Sequence, residues 1–239
     1  MVKAKTAGKR FYGKCPPGIQ PNQLGGKLIV LEGSDGSGRS TQIALLNDWL
    51  ERTGQPTITV GLKRSELVSE ELELAMTGNT LSPITMGLFY ATDFCDQLER
   101  RIIPALRAGF VVLADRYIYT LMARDIVRGV SATWVKDLYE IALVPDAVFY
   151  LRVMPEILAE RNFMKSGKLD YWESGMDIQR SGDMYQCFIS YQRKMQRVFR
   201  SLHDRYGFDI IDGNRTPSDI AQEIKSKIQR LLTMETQKP

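Results

Sequence analysis

A glycine-rich stretch from Leu28 to Gln42, LIVLEGSDGSGRSTQ, holds the residues of this chain that are best suited to chemistry. An apolar run precedes the glycines, and a helical pattern of apolar residues follows them. Glycines allow a backbone to curl until successive N–H groups face one anion, and the following helix adds the positive end of its dipole. The stretch therefore predicts a loop that binds the phosphates of a nucleotide. The alternative is a plain turn between a strand and a helix.

Two side chains of this loop carry specific expectations. Ser40 follows the last glycine and the cation at the spacing at which such loops place a hydroxyl on Mg²⁺. Arg39 stands where a lysine is expected, and it replaces a compact point charge by a planar fork with a wider reach. Because the charge is kept, Arg39 is expected to pair with phosphate oxygens. The predicted nucleotide-binding residues are Gly33, Ser34, Asp35, Gly36, Ser37, Gly38, Arg39, Ser40 and Thr41.

The loop must be positioned by a regular framework of strands and helices. Short apolar runs alternate with helical patterns along the chain, which is typical of β–α–β units in a parallel sheet covered on both faces. The predicted strands are KLIVLE, PTITVG, FVVLAD, PDAVFYLRV and FDIID. Helices are expected over 40–52, 65–76, 82–109, 184–207 and 216–232, with Ser82 as a cap and a bend at Pro104.

The pair Asp115-Arg116 follows the third predicted strand. Ligands of parallel sheets bind beyond the carboxyl ends of the strands, so this pair is expected beside the loop. A carboxylate at that place suits Mg²⁺ coordination. Ser40 and Asp115 are therefore the predicted metal-binding residues. Without the loop, an ion pair at the end of a strand would be the better interpretation.

Composition and charge favour one α/β domain over residues 27–239. The chain has 239 residues, of which 44% are hydrophobic and 25% charged, as in ordinary globular proteins. Its net charge is +4, and removing five cations of the first 26 residues leaves −1. A near-neutral body has no basic face, so no nucleic-acid partner is predicted. Residues 1–26 are expected to form a flexible basic head; contact with polyphosphate or RNA is the alternative.

The cysteine content and the hydropathy suggest a cytoplasmic location. The three cysteines form no CxxC pair, which suits a reducing cytoplasm. Apolar runs such as FVVLA are too short to span a bilayer, so no membrane association is expected. A single histidine cannot build a histidine metal cluster.

From about Lys27 to the C-terminus the sequence resembles the thymidylate kinase family of P-loop nucleoside monophosphate kinases. The matching pieces are LEGSDGSGRSTQ, LSPITMGLFYATD, LERRIIPALRAG and VVLADRY, in this order. The resemblance implies a P-loop NTPase-type three-layer sandwich with a five-stranded parallel sheet, helices on both faces and a lid insertion. It also implies an ATP- and Mg²⁺-dependent enzyme that moves the γ-phosphoryl group to a nucleoside monophosphate. With dTMP as the acceptor, the products are dTDP and ADP. A homodimer formed by long helices is implied as well.

The resemblance also implies roles for matching residues. Asp35 would face the acceptor and the metal, Arg116 would hold the acceptor's phosphate, and Tyr90 would stack on the base. A mobile basic lid would cover about residues 161–178, because a closing lid supplies positive charge and excludes water. With Arg39 and Asp35, its cations complete the predicted catalytic set: Arg161, Lys165 and Lys168.

The acceptor pocket departs from the family's pattern. An EPGGT-like segment is replaced by GLKRSELVSEE, which leaves Arg64 as a phosphate contact. Phe94 stands where the family has an arginine, and Arg124 where it has an aromatic residue. Thr120 replaces a serine. These six positions, with Arg116 and Tyr90 among them, are the predicted substrate-binding residues: Arg64, Tyr90, Phe94, Arg116, Thr120 and Arg124.

The exchange of Phe94 and Arg124 has two interpretations. The two residues swap roles across the pocket, or the enzyme takes another nucleotide, since a site that loses a hydrogen-bonding partner changes its discrimination strongly. A third possibility is a module that binds ATP without turnover, which Arg39 favours. The residues leave these possibilities open.

Overall fold

The computed structural model describes residues 8–78, 81–179 and 182–236. Within them, five parallel strands form one sheet in the order β2–β3–β1–β4–β5, with helices around it. This confirms the predicted α/β fold of the P-loop type. The strands are β1 (Lys27–Glu32), β2 (Thr57–Gly61), β3 (Val111–Asp115), β4 (Ala147–Arg152) and β5 (Asp209–Asp212).

The central strand β1 explains why the site lies where it does. All six of its residues are buried, as expected of an apolar strand between two neighbours. It pairs with β3 in a register that sets Leu31 opposite Asp115. The loop after β1 and the end of β3 therefore leave the sheet at the same edge.

The helices cover both faces of the sheet. Alternate residues of β1 point to opposite sides: Leu28 and Val30 belong to one core cluster, and Ile29 and Leu31 to another. The helices are α1 (Arg39–Arg52), α2 (Ser69–Gly78), α3 (Pro83–Gln97), α4 (Ile103–Arg107), α5 (Ile118–Val127), α6 (Ala132–Leu138), α7 (Pro155–Ser166), α8 (Met184–Tyr206) and α9 (Pro217–Thr236).

Five of the expected helical segments are present, but α5, α6 and α7 have no counterpart in the sequence prediction. In α5, all six residues from Ile118 to Ala123 are buried, and periodicity alone does not tell such a continuous run from a strand. Helix α7 includes the first residues of the segment expected to be a lid, 161–178.

The long predicted helix over 82–109 is continuous but not uniform. Ser82 caps it, since its hydroxyl accepts a hydrogen bond from the N–H of Thr85 (3.3 Å). A π-helical turn, Leu98–Ile102, lies between α3 and α4, and the N–H of Ile103 bonds to the carbonyl of Leu98. Pro104 follows and has no N–H to donate, so the irregularity falls beside the residue at which a bend was expected.

The segment assigned to the head contacts the domain from residue 8 onward. Phe11 forms a β-bridge with Leu143, and the hydroxyl of Tyr12 lies 2.5 Å from that of Tyr119. Leu24 is buried. Residues 1–7 lie outside the described residues, and the division of the chain into head and domain stays a prediction. No helix in the described part of the chain combines the length and apolar character needed to cross a lipid bilayer.

Glu32, the last residue of β1, fixes the start of α5. Its fully buried carboxyl accepts hydrogen bonds from the N–H groups of Tyr117 (3.0 Å) and Thr120 (3.2 Å) and from the Thr120 hydroxyl. Burial raises the pKa of Glu32 to about 7, although these hydrogen bonds and the charges of Arg39 and Arg116 act in the opposite direction. The end of the central strand therefore caps the first turn of α5.

This buried acid predicts a pH dependence of stability. An unfolded glutamate loses its proton near pH 4.3, whereas folded Glu32 keeps it up to about pH 7. The free energy of unfolding of the wild type, relative to Glu32→Gln, should therefore fall as the pH rises from 4.5 to 7.5 and level off above. Proton linkage gives about 1.4 kcal/mol per unit of pKa shift, so a change on the order of 2–3 kcal/mol is expected in denaturant titrations.

The exposed residue Glu70 on α2 provides the control. Glu70→Gln should leave the slope of stability against pH unchanged. A difference between wild type and Glu32→Gln that stays constant over this pH range would contradict the prediction.

Candidate active site

The glycine-rich loop joins β1 to α1 and depends on backbone conformations that favour glycine. Gly33, Gly36 and Gly38 have φ of 149°, 80° and 94°, in the region that side chains rarely adopt. A Cβ on Gly33 would lie 2.6 Å from the Ser37 hydroxyl. Gly38 is the N-cap of α1, so the N–H groups of the first helical turn belong to this loop. The sequence thus builds an anion-binding helix start.

A cavity of about 420 Å³ lies over this loop. Eight of the nine predicted nucleotide-binding residues, Ser34 to Thr41, line it, whereas Gly33, directly after β1, does not. Arg161 and Lys165 of α7 line the same cavity. They are four residues apart and hence share a helix face. Arg161 donates to the carbonyls of Gly36 (3.3 Å) and Gly213 (3.2 Å), which ties α7 to the loop.

This cavity is also lined by residues that were not predicted, and one predicted cation does not line it. The segment after β5 contributes residues that carry no recognisable motif, so the sequence analysis missed them. The expected fifth strand was the feature of the sequence that pointed to this region. These residues are Gly213 and Arg215, and Pro217 and Ile220 at the start of α9 join them. Lys168, in contrast, lines a separate apolar groove between α7 and the start of α8 and is not brought to the phosphate loop.

Arg39 points into the protein and is only 8% exposed. Its Nε donates to Asp115 (2.7 Å), and its Nη1 donates to the carbonyls of Ser34 (2.7 Å) and Gly33. Its Nη2 lies 3.4 Å from Asp35. Burial acts to lower the pKa of Arg39, but the two carboxylates outweigh it and raise the pKa above its ordinary value. Each nitrogen of the fork has a partner, which a single ammonium group could not reproduce.

The two predicted metal-binding residues line adjoining cavities: Ser40 lines the cavity over the loop, and Asp115 lines a neighbouring one. Asp115 gives one oxygen to Arg39, and its Oδ2 lies 3.9 Å from Arg64 and makes no hydrogen bond within the described chain. Ser40 lines the cavity at the first turn of α1. One carboxylate and one hydroxyl fit Mg²⁺, which keeps several waters and takes substrate phosphates as ligands. The described residues contain no group of three acidic, cysteine or histidine side chains that would hold a metal alone.

A second cavity, of about 290 Å³, adjoins the first and shares Asp35 and Arg39 with it. Arg116 lies in its wall with a φ of 71°, an uncommon backbone conformation for a bulky residue. Its Nη2 donates to Asp35 (2.9 Å) and Glu173 (3.2 Å), but its buried Nε has no partner among the described residues. A buried unpaired donor costs about 1–3 kcal/mol, and an oxyanion in this cavity would satisfy it.

Three more predicted residues line this second cavity. The side chain of Arg124 lies over the ring of Tyr90, 5.9 Å from its centroid, and it also donates to Glu173. Arg64 is placed by Asp93, whose carboxylate accepts hydrogen bonds from the N–H groups of Arg64 (3.0 Å) and its neighbours. This explains how the unusual segment after β2 still presents a cation to the cavity.

Phe94 and Thr120 are not brought to the cavity. Phe94 is 4% exposed and packs edge-on against Tyr117 and Tyr139 in the core, because it lies on the inward face of α3. Thr120 is 2% exposed and bonded to Glu32. The suggested exchange of roles between Phe94 and Arg124 is therefore not present in the structure: Arg124 lies at the cavity and Phe94 does not.

The sequence analysis missed Glu173, which lines the second cavity. It is 4% exposed, and its Oε1 accepts hydrogen bonds from both Arg116 and Arg124. The feature of the sequence that could have identified Glu173 was an acidic residue inside a segment expected to be a basic lid. Asp35 accepts a hydrogen bond from the same Nη2 of Arg116 as Glu173 does. Burial acts to raise the pKa of Asp35, but Arg116 and Arg39 overcome it and hold that pKa below its usual range.

An apolar extension of about 100 Å³ continues from the second cavity. Asp125, which the sequence analysis also missed, lines it and is 6% exposed; its Oδ2 has no partner in the described structure. Burial raises the pKa of Asp125 to about 7, against the charges of Arg128 and Arg124. Apolar walls with a few polar groups are typical of a site for a planar ligand. The remaining walls include Met86, Tyr90, Leu121 and Trp172.

A phosphate loop beside an arginine-lined cavity, at the carboxyl end of a parallel sheet, defines a P-loop nucleotide-binding domain. Comparison with known proteins identifies the family to which this domain belongs. The model of the family "Thymidylate kinase" matches residues 31–224. The chain belongs to the thymidylate kinase family.

Several archaeal and bacterial relatives match most of the chain. "Probable thymidylate kinase 2" of Saccharolobus solfataricus is 41% identical over 201 residues, 84% of this chain and 94% of that protein. "Probable thymidylate kinase" of Pyrobaculum aerophilum is 28% identical, over 86% and 97%. "Thymidylate kinase" of Brachyspira hyodysenteriae is 27% identical, over 85% and 94%.

The contacts of Arg39 predict that lysine will not replace it. In Arg39→Lys, one ammonium group must serve Asp115 and two buried carbonyls, so some acceptors lose their donor. The free energy of unfolding should fall by about 1–3 kcal/mol. The dissociation constant for an ATP analogue should rise by about tenfold, measured by calorimetry.

Arg52→Lys at the other end of α1 is the matched control, since the Arg52 side chain is 77% exposed and forms an ion pair with Asp48 on the surface. It should change neither quantity. Tighter nucleotide binding by Arg39→Lys would mean that the arginine weakens nucleotide binding by the loop.

Proposed function

We propose that the protein is a dTMP kinase that transfers the γ-phosphoryl group of ATP to dTMP, giving dTDP and ADP. The observation that carries this proposal is that the phosphate-loop cavity and the arginine-lined cavity meet at Asp35 and Arg39. A donor phosphate on the loop and an acceptor phosphate on the arginines would therefore face each other. The names of the relatives supply the base of the acceptor.

The donor would lie over the loop and the first turn of α1. Arg39 would leave the carbonyls of Gly33 and Ser34 to contact the transferring group, because its present partners lie at the junction of the cavities. Arg161 and Lys165 line the donor cavity and would add positive charge. Ser40 and Asp115 would hold Mg²⁺, which supplies positive charge to the β- and γ-phosphates.

The acceptor would lie in the second cavity and its apolar extension. Arg116 would use its unpaired Nε on the acceptor's phosphate, and Arg124 and Arg64 would flank it. Tyr90 lines both the cavity and the extension, where it would stack on the base. Asp35 would orient the acceptor between the two phosphate sites, and direct in-line transfer needs no covalent intermediate.

Two alternatives have support of their own. A different nucleoside monophosphate is favoured by Asp125, since a buried carboxyl without a partner selects a base by the donors on its edge. A nucleotide-binding module without turnover is favoured by the Arg39–Asp115 ion pair, which joins the loop cation to a metal-binding residue.

The compartment and the oligomeric state are further proposals. Cys15, Cys95 and Cys187 are free thiols, which suits a reducing cytoplasm. A homodimer remains an implication of the family resemblance.

Activity should depend on Mg²⁺ and on dTMP in a coupled assay of ADP release. The panel contains dTMP, uridylates, cytidylate, adenylate and guanylate. ADP release with another acceptor would keep the kinase and reject the base assignment. No transfer with any of them, alongside measurable ATP binding, would support the module without turnover.

In the same assay, Arg116→Lys should raise the KM for the acceptor by about tenfold or more, because an ammonium group cannot replace the buried fork. The affinity for an ATP analogue should stay within about twofold of the wild type, since Arg116 does not line the donor cavity. Arg193→Lys, on the exposed face of α8, is the control. An unchanged acceptor KM would remove Arg116 from the acceptor site.

A further inference from the structure

The phosphate loop and the acceptor arginines are joined by a buried chain of hydrogen bonds through α8. The Ser34 hydroxyl donates to Oε1 of Gln192 (2.5 Å). Nε2 of Gln192 donates to the backbone carbonyl of Glu173 (2.9 Å) and to its Oε2 (3.3 Å). The other oxygen of Glu173 holds Arg116 and Arg124. We call Ser34, Gln192 and Glu173 the relay.

The relay lies in the interior. Gln192 is completely buried, and Ser34 and Glu173 are 8% and 4% exposed. Hydrogen bonds are strong in such surroundings, and a polar group that loses its partner there is costly. Both ends of the Gln192 amide are used, so a shift at one end leaves a buried group unpaired at the other. The relay is therefore expected to rearrange as a unit.

Both substrates of the proposed reaction would act on the relay. An acceptor phosphate bound to Arg116 and Arg124 would compete with Glu173 for the same two guanidinium groups. A donor phosphate that takes Arg39 from the carbonyl of Ser34, now at 2.7 Å, would release the backbone of the residue whose hydroxyl begins the relay. Each substrate thus acts on one end of the same chain.

We propose that Gln192 is a positioning residue that couples donor binding to acceptor binding. The proposal depends on the function proposed above. Whichever substrate binds first disrupts the relay, and the second then binds to a protein in which that disruption has already occurred. Binding is therefore positively cooperative, and the effect is reciprocal between the two sites.

The test compares affinities for dTMP with and without a saturating non-hydrolysable ATP analogue, AMP-PNP, in the presence of Mg²⁺. Isothermal titration of the wild type should give a dissociation constant at least about fivefold lower when the analogue is present. In Gln192→Met, which has similar volume but makes no amide hydrogen bonds, this ratio should fall to near one.

Gln196→Met is the matched control. Gln196 lies one turn further along α8, and its amide donates to the carbonyl of Val153 (2.7 Å) instead of to the relay. It should keep the wild-type ratio. A ratio that falls equally in both variants would overturn the proposal, because general packing of α8 would then account for the coupling.

Ser34→Ala removes the hydroxyl at the other end of the relay, and it tests the proposed coupling if Gln192→Met does not fold. Each single variant should reduce the ratio, and the double variant should reduce it no further, since the two residues act in one chain. Independent, additive losses would contradict the relay.

A ratio of one in the wild type, or an unchanged ratio in Gln192→Met, overturns the coupling even if ADP release with dTMP is normal. Absence of ADP release with a cooperative ratio removes turnover and keeps the coupling. If the panel identifies another acceptor, that monophosphate replaces dTMP in the same titration.

Discussion

The ion pair between Arg39 and Asp115 is the contact on which the arrangement of the site depends. It joins the first residue of α1 to the last residue of β3, and it is almost completely buried. The remaining donors of the same guanidinium hold two carbonyls of the loop. One side chain therefore fixes both the curl of the loop and the end of the neighbouring strand. Only a planar fork with several donors can do both.

Glu32 provides a second connection at the same edge of the sheet. It joins the end of β1 to the first turn of α5, the helix that carries Arg124 and Asp125. The donor loop and one wall of the acceptor cavity consequently begin at the same strand. This connection requires a buried carboxyl that keeps its proton near neutral pH. Burying it is unfavourable, and its three hydrogen bonds offset part of that unfavourable free energy.

The framework and the donor loop could be predicted from the sequence because they depend on local patterns. Apolar runs gave the five strands, and the glycine spacing gave the loop from Gly33 to Thr41. The acceptor side depends on contacts between distant residues, which local patterns do not contain. Glu173 reaches Arg116 from 57 positions away, and Phe94 is turned into the core by its place on α3. Helix α5 was missed because its first six residues form one continuous buried run, and periodicity alone does not tell such a run from a strand.

The side chains around the second cavity nearly cancel in charge, and this affects how an anion would approach. Five cations line it: Arg39, Lys63, Arg64, Arg116 and Arg124. Four carboxylates face them: Asp35, Asp115, Asp170 and Glu173. A cleft with so little net charge projects only a weak field into solvent, so it gives a distant phosphate little electrostatic steering. Encounter would then depend on diffusion, and selection would occur at close range, where an incoming phosphate competes with the protein's own carboxylates for the same arginines.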